Sequence, residues 1–236
     1  PQDANVVSRQ ACRRKFDAHN VSFVDQQAAL LECGPIAHAW TVAKGAPWRV
    51  SRLVRTWETA LLFKSDLKVP HATLALDTQL DETFGNLTNW LGKVGRLAHV
   101  GARIDQLPPE NRPALHLSQA VEKFRAFAQR EGLSDELAST ELMIADDDGT
   151  PQNVLQMDPA DVTDARFPVW RAWREAACEP PPSSHRDGEL FFTHSKCIEA
   201  ISAGVIHPKN SMVVVRDVAR PTAFVSARQC QTLVAR

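Results

Sequence analysis

The chain has no tyrosine, although its 236 residues include ten phenylalanines and six tryptophans; we have no physical account of that absence. No apolar run approaches the roughly 20 residues that a membrane-spanning helix needs, so no membrane span is expected. Charge of one sign is also missing. The formal net charge is −1, which argues against broad electrostatic binding to nucleic acid. Cysteines are few and odd in number. Cys12, Cys33, Cys178, Cys197 and Cys230 show no zinc-ligand spacing, and free thiols in a reducing intracellular compartment are the simplest expectation. The common catalytic signatures are absent too: no GxxxxGK[ST], no GxGxxG after a strand, no HExxH and no Gly-x-Ser-x-Gly. No metal and no cofactor are therefore expected.

What remains is an ordinary globular composition, 44% apolar, with enough apolar surface for a real core. There is no internal repeat and no low-complexity linker, so residues 1–236 read as one domain. The chain opens on Pro1 without Met, as a processed product or a fragment would. An Ala- and Arg-rich chain of this kind would suit a mitochondrial location, and a removed targeting segment would leave no trace.

Strand and helix patterns alternate along the chain. Asn5–Ser8, Trp48–Ser51, Ala72–Leu76, Glu189–Thr193 and Ser211–Arg216 read as strands. Ala28–Val42, Arg55–Phe63, Leu117–Arg130 and Pro159–Cys178 read as helices, the last interrupted by Pro168. In Leu117–Arg130, residues Ala120, Val121, Phe124, Phe127 and Ala128 line one side. In Pro159–Cys178, Phe167, Trp170 and Trp173 form the apolar face. Asp146–Gly149 reads as a solvated acidic turn without calcium-loop spacing, and 81–101 as irregular. A further strand is expected after Pro221. Alternation of this kind predicts an α/β fold with a mostly parallel sheet covered on both faces, a three-layer α/β/α arrangement.

The most informative stretch is Gly188–Gly204, GELFFTHSKCIEAISAG. The apolar run ends at Thr193, His194 follows, and Cys197, Ile198, Ala200 and Ile201 recur at helical spacing up to Gly204. His194 should therefore sit where a buried strand hands over to a helix. In open α/β sheets that edge binds ligands, and helix N-termini there favour anions. Taken alone, His194 is better read as a hydrogen-bonded histidine at a strand end.

Two further segments carry a resemblance: Ser51–Ala60 (SRLVRTWETA) and Leu80–Gly85 (LDETFG). With the FFTHS segment, and in this order, they resemble the histidine phosphatase superfamily, the phosphoglycerate-mutase-like group. That group carries S-x-L-x-R-[ST]-x-[QE]-T-A, then a loop with L-x-E followed by a glycine, then a strand ending in [ST]-H. Leu30–Gly34 and the helix after it, with Ala37 where Gln is usual, and the strand VVVR are similar to the family as well. The resemblance runs from about Val6 to Arg216. It implies a phosphoglycerate-mutase-like fold in which Arg55 clamps a phosphoryl group, Glu82 is the general acid and His194 stabilises the transferring phosphoryl. Arg9 and Asn20 would complete a phosphate-binding set of Arg9, Asn20, Arg55 and His194.

The resemblance fails at the front. The family's first strand ends in R-H-G or R-H-A, whose histidine is the nucleophile, and here Arg9-Gln10-Ala11 stands there. A carboxamide nitrogen has no available lone pair and forms no phosphoenzyme. The usual prolines of S-P-L and D-P-P are replaced by Arg52 and by Gln26 and Gln27. The expectation is a catalytically inactive relative acting as an accessory subunit or interaction module of a larger assembly. It would have protein partners, and its pocket could still hold an anion such as a phosphorylated small molecule. The alternative is an active phosphomonoester phosphatase or mutase-like hydrolase using His19 or Cys12, the latter beside Arg13-Arg14-Lys15. Against Cys12, the C-x5-R pattern of cysteine phosphatases would put Ala18 at its arginine. A third reading places function on tryptophans such as Trp40, Trp48 and Trp90 as partner contacts, or simply in the core.

Overall fold

The computed structural model describes residues 45–80, 114, 116–171, 190–194 and 197–198, and the backbone of 214–216 and 224–226. Within these, five strands form one sheet. They are β1 (Trp48–Val50), β2 (Ala72–Leu76), β3 (Thr140–Ala145), β4 (Pro151–Asn153) and β5 (Phe191–Phe192), in the order β4-β3-β2-β1-β5. Pairings β5–β1, β1–β2 and β2–β3 are parallel, and the edge strand β4 is antiparallel to β3. Helices α1 (Val54–Asp66), α2 (Leu117–Arg130), α3 (Ser134–Ala138) and α4 (Pro168–Arg171) accompany the sheet. Strands β6 (Val214–Arg216) and β7 (Phe224–Ser226) pair antiparallel in a separate two-stranded sheet. The fold is thus α/β, with a mostly parallel mixed sheet flanked by helices.

One face of the sheet makes the core. Trp48, Val50, Leu74, Leu142, Ile144 and Phe192 are buried there with Phe63 and Trp57 of α1 and Phe124 and Phe127 of α2. The rings pack edge-on: Trp48 on Phe63 with centroids 5.8 Å apart, and Trp57 on Phe124 at 5.8 Å. This geometry favours aromatic pairs beyond the area they bury. On the opposite face Arg49, Thr73, Ala75, Glu141, Met143 and Phe191 are half-buried.

Helix α1 ends tightly. Val69 N donates to Lys64 O and Lys68 N to Ser65 O, which puts Lys68 at φ 52°. Helix α2 ends in the same way through Leu133 N to Ala128 O, with Gly132 at φ 69°. In both, the residue after the left-handed position, Val69 or Leu133, is buried. At the other end of α2, Leu117 N donates to Asp164 Oδ1 at 2.9 Å, a cap supplied from a distant turn.

The expected strands Trp48–Ser51 and Ala72–Leu76 and the helices Arg55–Phe63 and Leu117–Arg130 are present, and the acidic turn closes through Gly149 N to Asp146 O. Two expectations are corrected. Pro159–Cys178 does not start as one helix: Pro159–Asp161 is a 3-10 turn, and Pro168 opens α4 rather than interrupting it. Proline's fixed φ suits a first helical position, where its missing N–H is not needed. The second concerns 134–153, where no element other than the acidic turn was expected and α3, β3 and β4 occur. The expected elements at Asn5–Ser8, Ala28–Val42 and 81–101, like Trp40, Trp90 and Trp173, lie outside the described residues.

Strand β3 buries Thr140, Leu142 and Ile144 on alternate positions. Leu142→Ala should therefore cost about 2–5 kcal/mol, whereas Glu141→Ala on the half-buried face should cost no more than about 1 kcal/mol. Urea unfolding midpoints of the two variants check this.

Candidate functional site at the C-terminal strand edge

Strands β1, β2 and β5 are parallel, so their C-terminal ends meet at one edge. Chain leaving β1 gives Ser51 and Arg52, chain leaving β2 gives Asp77 and the 3-10 turn Thr78–Leu80, and chain leaving β5 gives Thr193 and His194. Asp77 N donates to Val50 O at 2.8 Å, and Thr193 Oγ1 to Leu80 O at 2.8 Å, which ties the three exits together. Helix starts there as expected: Ile198 N donates to His194 O at 3.0 Å.

His194 is the centre of the edge and is 6% exposed. Its Nε2 lies 2.8 Å from Ser51 Oγ. Its Nδ1 lies 3.3 Å from Arg55 Nε and 3.1 Å from Arg55 Nη2. A guanidinium only donates, so Nδ1 must carry the lone pair and the ring proton must sit on Nε2. Directions then follow along the chain of hydroxyls. Nε2–H donates to Ser51 Oγ, which also accepts from Leu53 N at 3.2 Å. Ser51 Oγ–H is left to donate to Thr56 Oγ1 at 3.2 Å, and Thr56 Oγ1–H to Leu53 O at 2.8 Å. Trp57 Nε1 closes the group by donating to Ser51 O at 2.8 Å. Every polar atom in this run has a partner of the right kind.

Electrostatics agree with the geometry. Burial, and secondarily the Arg55 cation, hold the His194 pKa well below its ordinary 6.5. The imidazole is neutral near neutral pH. Arg55 is half-buried at the first turn of α1. One turn further on, Glu58 is pushed up to about 8 by burial, against the opposing pull of Arg130 and Lys123 on α2.

The expected pair Arg55 and His194 is thus brought together. Glu82, Arg9, Asn20 and Gln10 lie outside the described residues. Arg52, where the resemblance leads one to expect proline, is 1% exposed and donates from Nη1 to Val169 O at 3.2 Å and Trp170 O at 3.4 Å. It ties the β1–α1 turn to α4. Trp48, weighed above as a partner contact, is fully buried. Cys197 is disulfide-bonded, so the step from an odd cysteine count to free thiols does not hold for it. Among the described residues no three His, Cys, Asp or Glu side chains gather where they could hold a metal. None of the described helices is long and apolar enough to cross a membrane.

Ser51 and Thr56 were quoted within the SRLVRTWETA motif but had no role in the sequence reading. Their signal is a local one: two hydroxyls flanking a helix start, a common way to satisfy free backbone groups. Comparison with protein families, with curated proteins and with solved structures returns no match.

Two outcomes follow. Ser51→Ala leaves the buried Nε2–H without a partner and should lower stability by about 1–3 kcal/mol, whereas Thr59→Ala, which removes a bond of 2.7 Å within α1, should cost less. The second concerns pH. Below 6.5 the unfolded chain protonates its histidine while folded His194 stays neutral, so the unfolded state binds more protons and stability falls with falling pH. The loss attributable to His194 approaches about 1.4 kcal/mol per pH unit. Glu58 acts in the opposite sense between 4.5 and about 8, so the readout is the difference in denaturation midpoint between wild type and His194→Asn across pH 7.5 to 5.5.

Proposed function

We propose that the chain is a catalytically inactive, histidine-phosphatase-like protein with the three-layer phosphoglycerate-mutase-like architecture, and that its strand edge holds an anion without turning it over. The observation that carries this reading is Gln10, which stands where the resemblance calls for a nucleophilic histidine and forms no phosphoenzyme. In the unliganded arrangement Ser51 and Arg55 also engage both ring nitrogens of His194, so neither rests as a free base. The ring is also neutral and buried.

What survives is suited to recognition. Arg55 offers a planar fork that matches the oxygens of a phosphate-type ligand, at the edge where parallel sheets bind ligands. The ligand class is an oxyanion, such as a phosphorylated small molecule. The biological role is that of an accessory or interaction module working with protein partners in a larger assembly.

Turnover of a generic aryl phosphate tests the reading. Wild type should show no hydrolysis above background, and Gln10→His should gain measurable activity if the pocket is otherwise intact. Activity in the wild type that disappears in Cys12→Ser would overturn it and make the thiol the nucleophile.

A further inference from the structure

We propose that the Arg55–His194 bond is the unliganded half of an exchange, in which an oxyanion arriving at the strand edge draws the guanidinium off Nδ1 and the vacated nitrogen takes up one proton from solvent. This rests on the reading of the edge as an anion site and adds how that site responds to occupancy.

Two N–H groups of Arg55 converge on one neutral nitrogen, at 3.3 and 3.1 Å. That nitrogen has a single lone pair, so the fork is poorly matched to it. An oxyanion offers several oxygens and a negative charge, and the bidentate bonds it makes with a guanidinium are the strong ones. While Arg55 occupies Nδ1, a proton cannot enter there, because it would meet two donors and a cation at hydrogen-bond distance. Departure of Arg55 removes that block, and the anion adds a partner for positive charge. Both changes raise the proton affinity of the ring.

The rest of the site need not move. Nε2–H stays on Ser51, since a protonated imidazole donates from both nitrogens. The balance is simple: both hydrogen bonds from Arg55 to Nδ1 are lost, one N–H bond at Nδ1 is formed, and bulk buffer supplies the proton. Among the described residues the groups that meet His194 are Arg55 and the Ser51 hydroxyl at the end of β1; Glu58 lies a turn beyond Arg55 on α1, and Lys123 and Arg130 on α2 act on Glu58. Arg52 is turned to the α4 carbonyls, and the Thr193 hydroxyl to Leu80. Among the described residues Arg55 is therefore the charge whose position decides the state of the ring.

Sodium sulfate is the probe, because it remains a dianion from pH 6 to 8 and any proton taken up belongs to the protein. Titration calorimetry of the full chain in two buffers of different ionisation enthalpy, at constant ionic strength, counts that proton. The expected result is uptake approaching about one proton per sulfate near pH 7, with affinity falling as pH rises, by up to about tenfold per unit. His194→Asn should still bind sulfate but without uptake, and Glu58→Gln should keep the uptake. Sulfate binding to wild type with no uptake and a flat pH profile overturns the exchange and leaves the anion site standing. Uptake that persists in His194→Asn also overturns it, by placing the proton elsewhere. No sulfate binding at all overturns both. Should His194→Asn fail to fold, Glu58→Gln decides: sulfate affinity that still falls with rising pH there upholds the exchange, and a flat profile there overturns it by placing the proton on Glu58.

Discussion

The hydrogen bond from His194 Nε2 to Ser51 Oγ, 2.8 Å long and bridging 143 positions of sequence, is what the rest of the strand edge depends on. It fixes the end of β5 against the start of α1. Because Arg55 can only donate, it also fixes where the ring proton sits. Each later direction in the run Ser51, Thr56, Leu53 is a consequence of that one assignment. Buried polar networks are costly unless every member is satisfied, and this one is satisfied from the ring to the backbone. The same completeness keeps His194 neutral in the unliganded chain: both nitrogens are occupied and burial keeps the charge off.

The sheet makes this edge through simple means. Three parallel strands that end together deliver their following residues to one place, and the core face beneath them is held by aromatic rings on β1, β5, α1 and α2. Ser51 and Val50 are adjacent, so the network begins one residue from the core. Trp57 belongs to both, packing on Phe124 and Trp170 while donating to Ser51 O. Disturbing that indole would be felt in packing and in the polar run together.

How much of this was legible in sequence can be argued residue by residue. Strand β2 and helix α2 were readable at their bounds, because a short apolar run and a clean helical stripe are strong local signals. Strand β3 was not. Its sequence TELMIA does alternate, but it follows the short helix of SDELA, and Glu, Leu and Met are themselves good helix formers. Its place between β2 and β4 is decided by tertiary packing. Pro168 was read as a break because proline stops a helix when it is inside one, whereas here the helix begins with it. The pairing of Arg55 with His194 has no local signal across that separation, and only the ordered motifs suggested it. Ser51 and Thr56 were visible as residues and invisible as a relay, since a relay is a property of directions in space.

The central claim is that His194 is neutral, protonated on Nε2, and accepting at Nδ1. Long-range proton–nitrogen correlation spectra of the 15N-labelled chain, with His194 assigned by its absence in His194→Asn, measure this directly. The account predicts one protonated and one bare ring nitrogen, with the proton on Nε2 and no titration until well below pH 6.5. A His194 that titrates near 6.5, or that carries its proton on Nδ1, would contradict it.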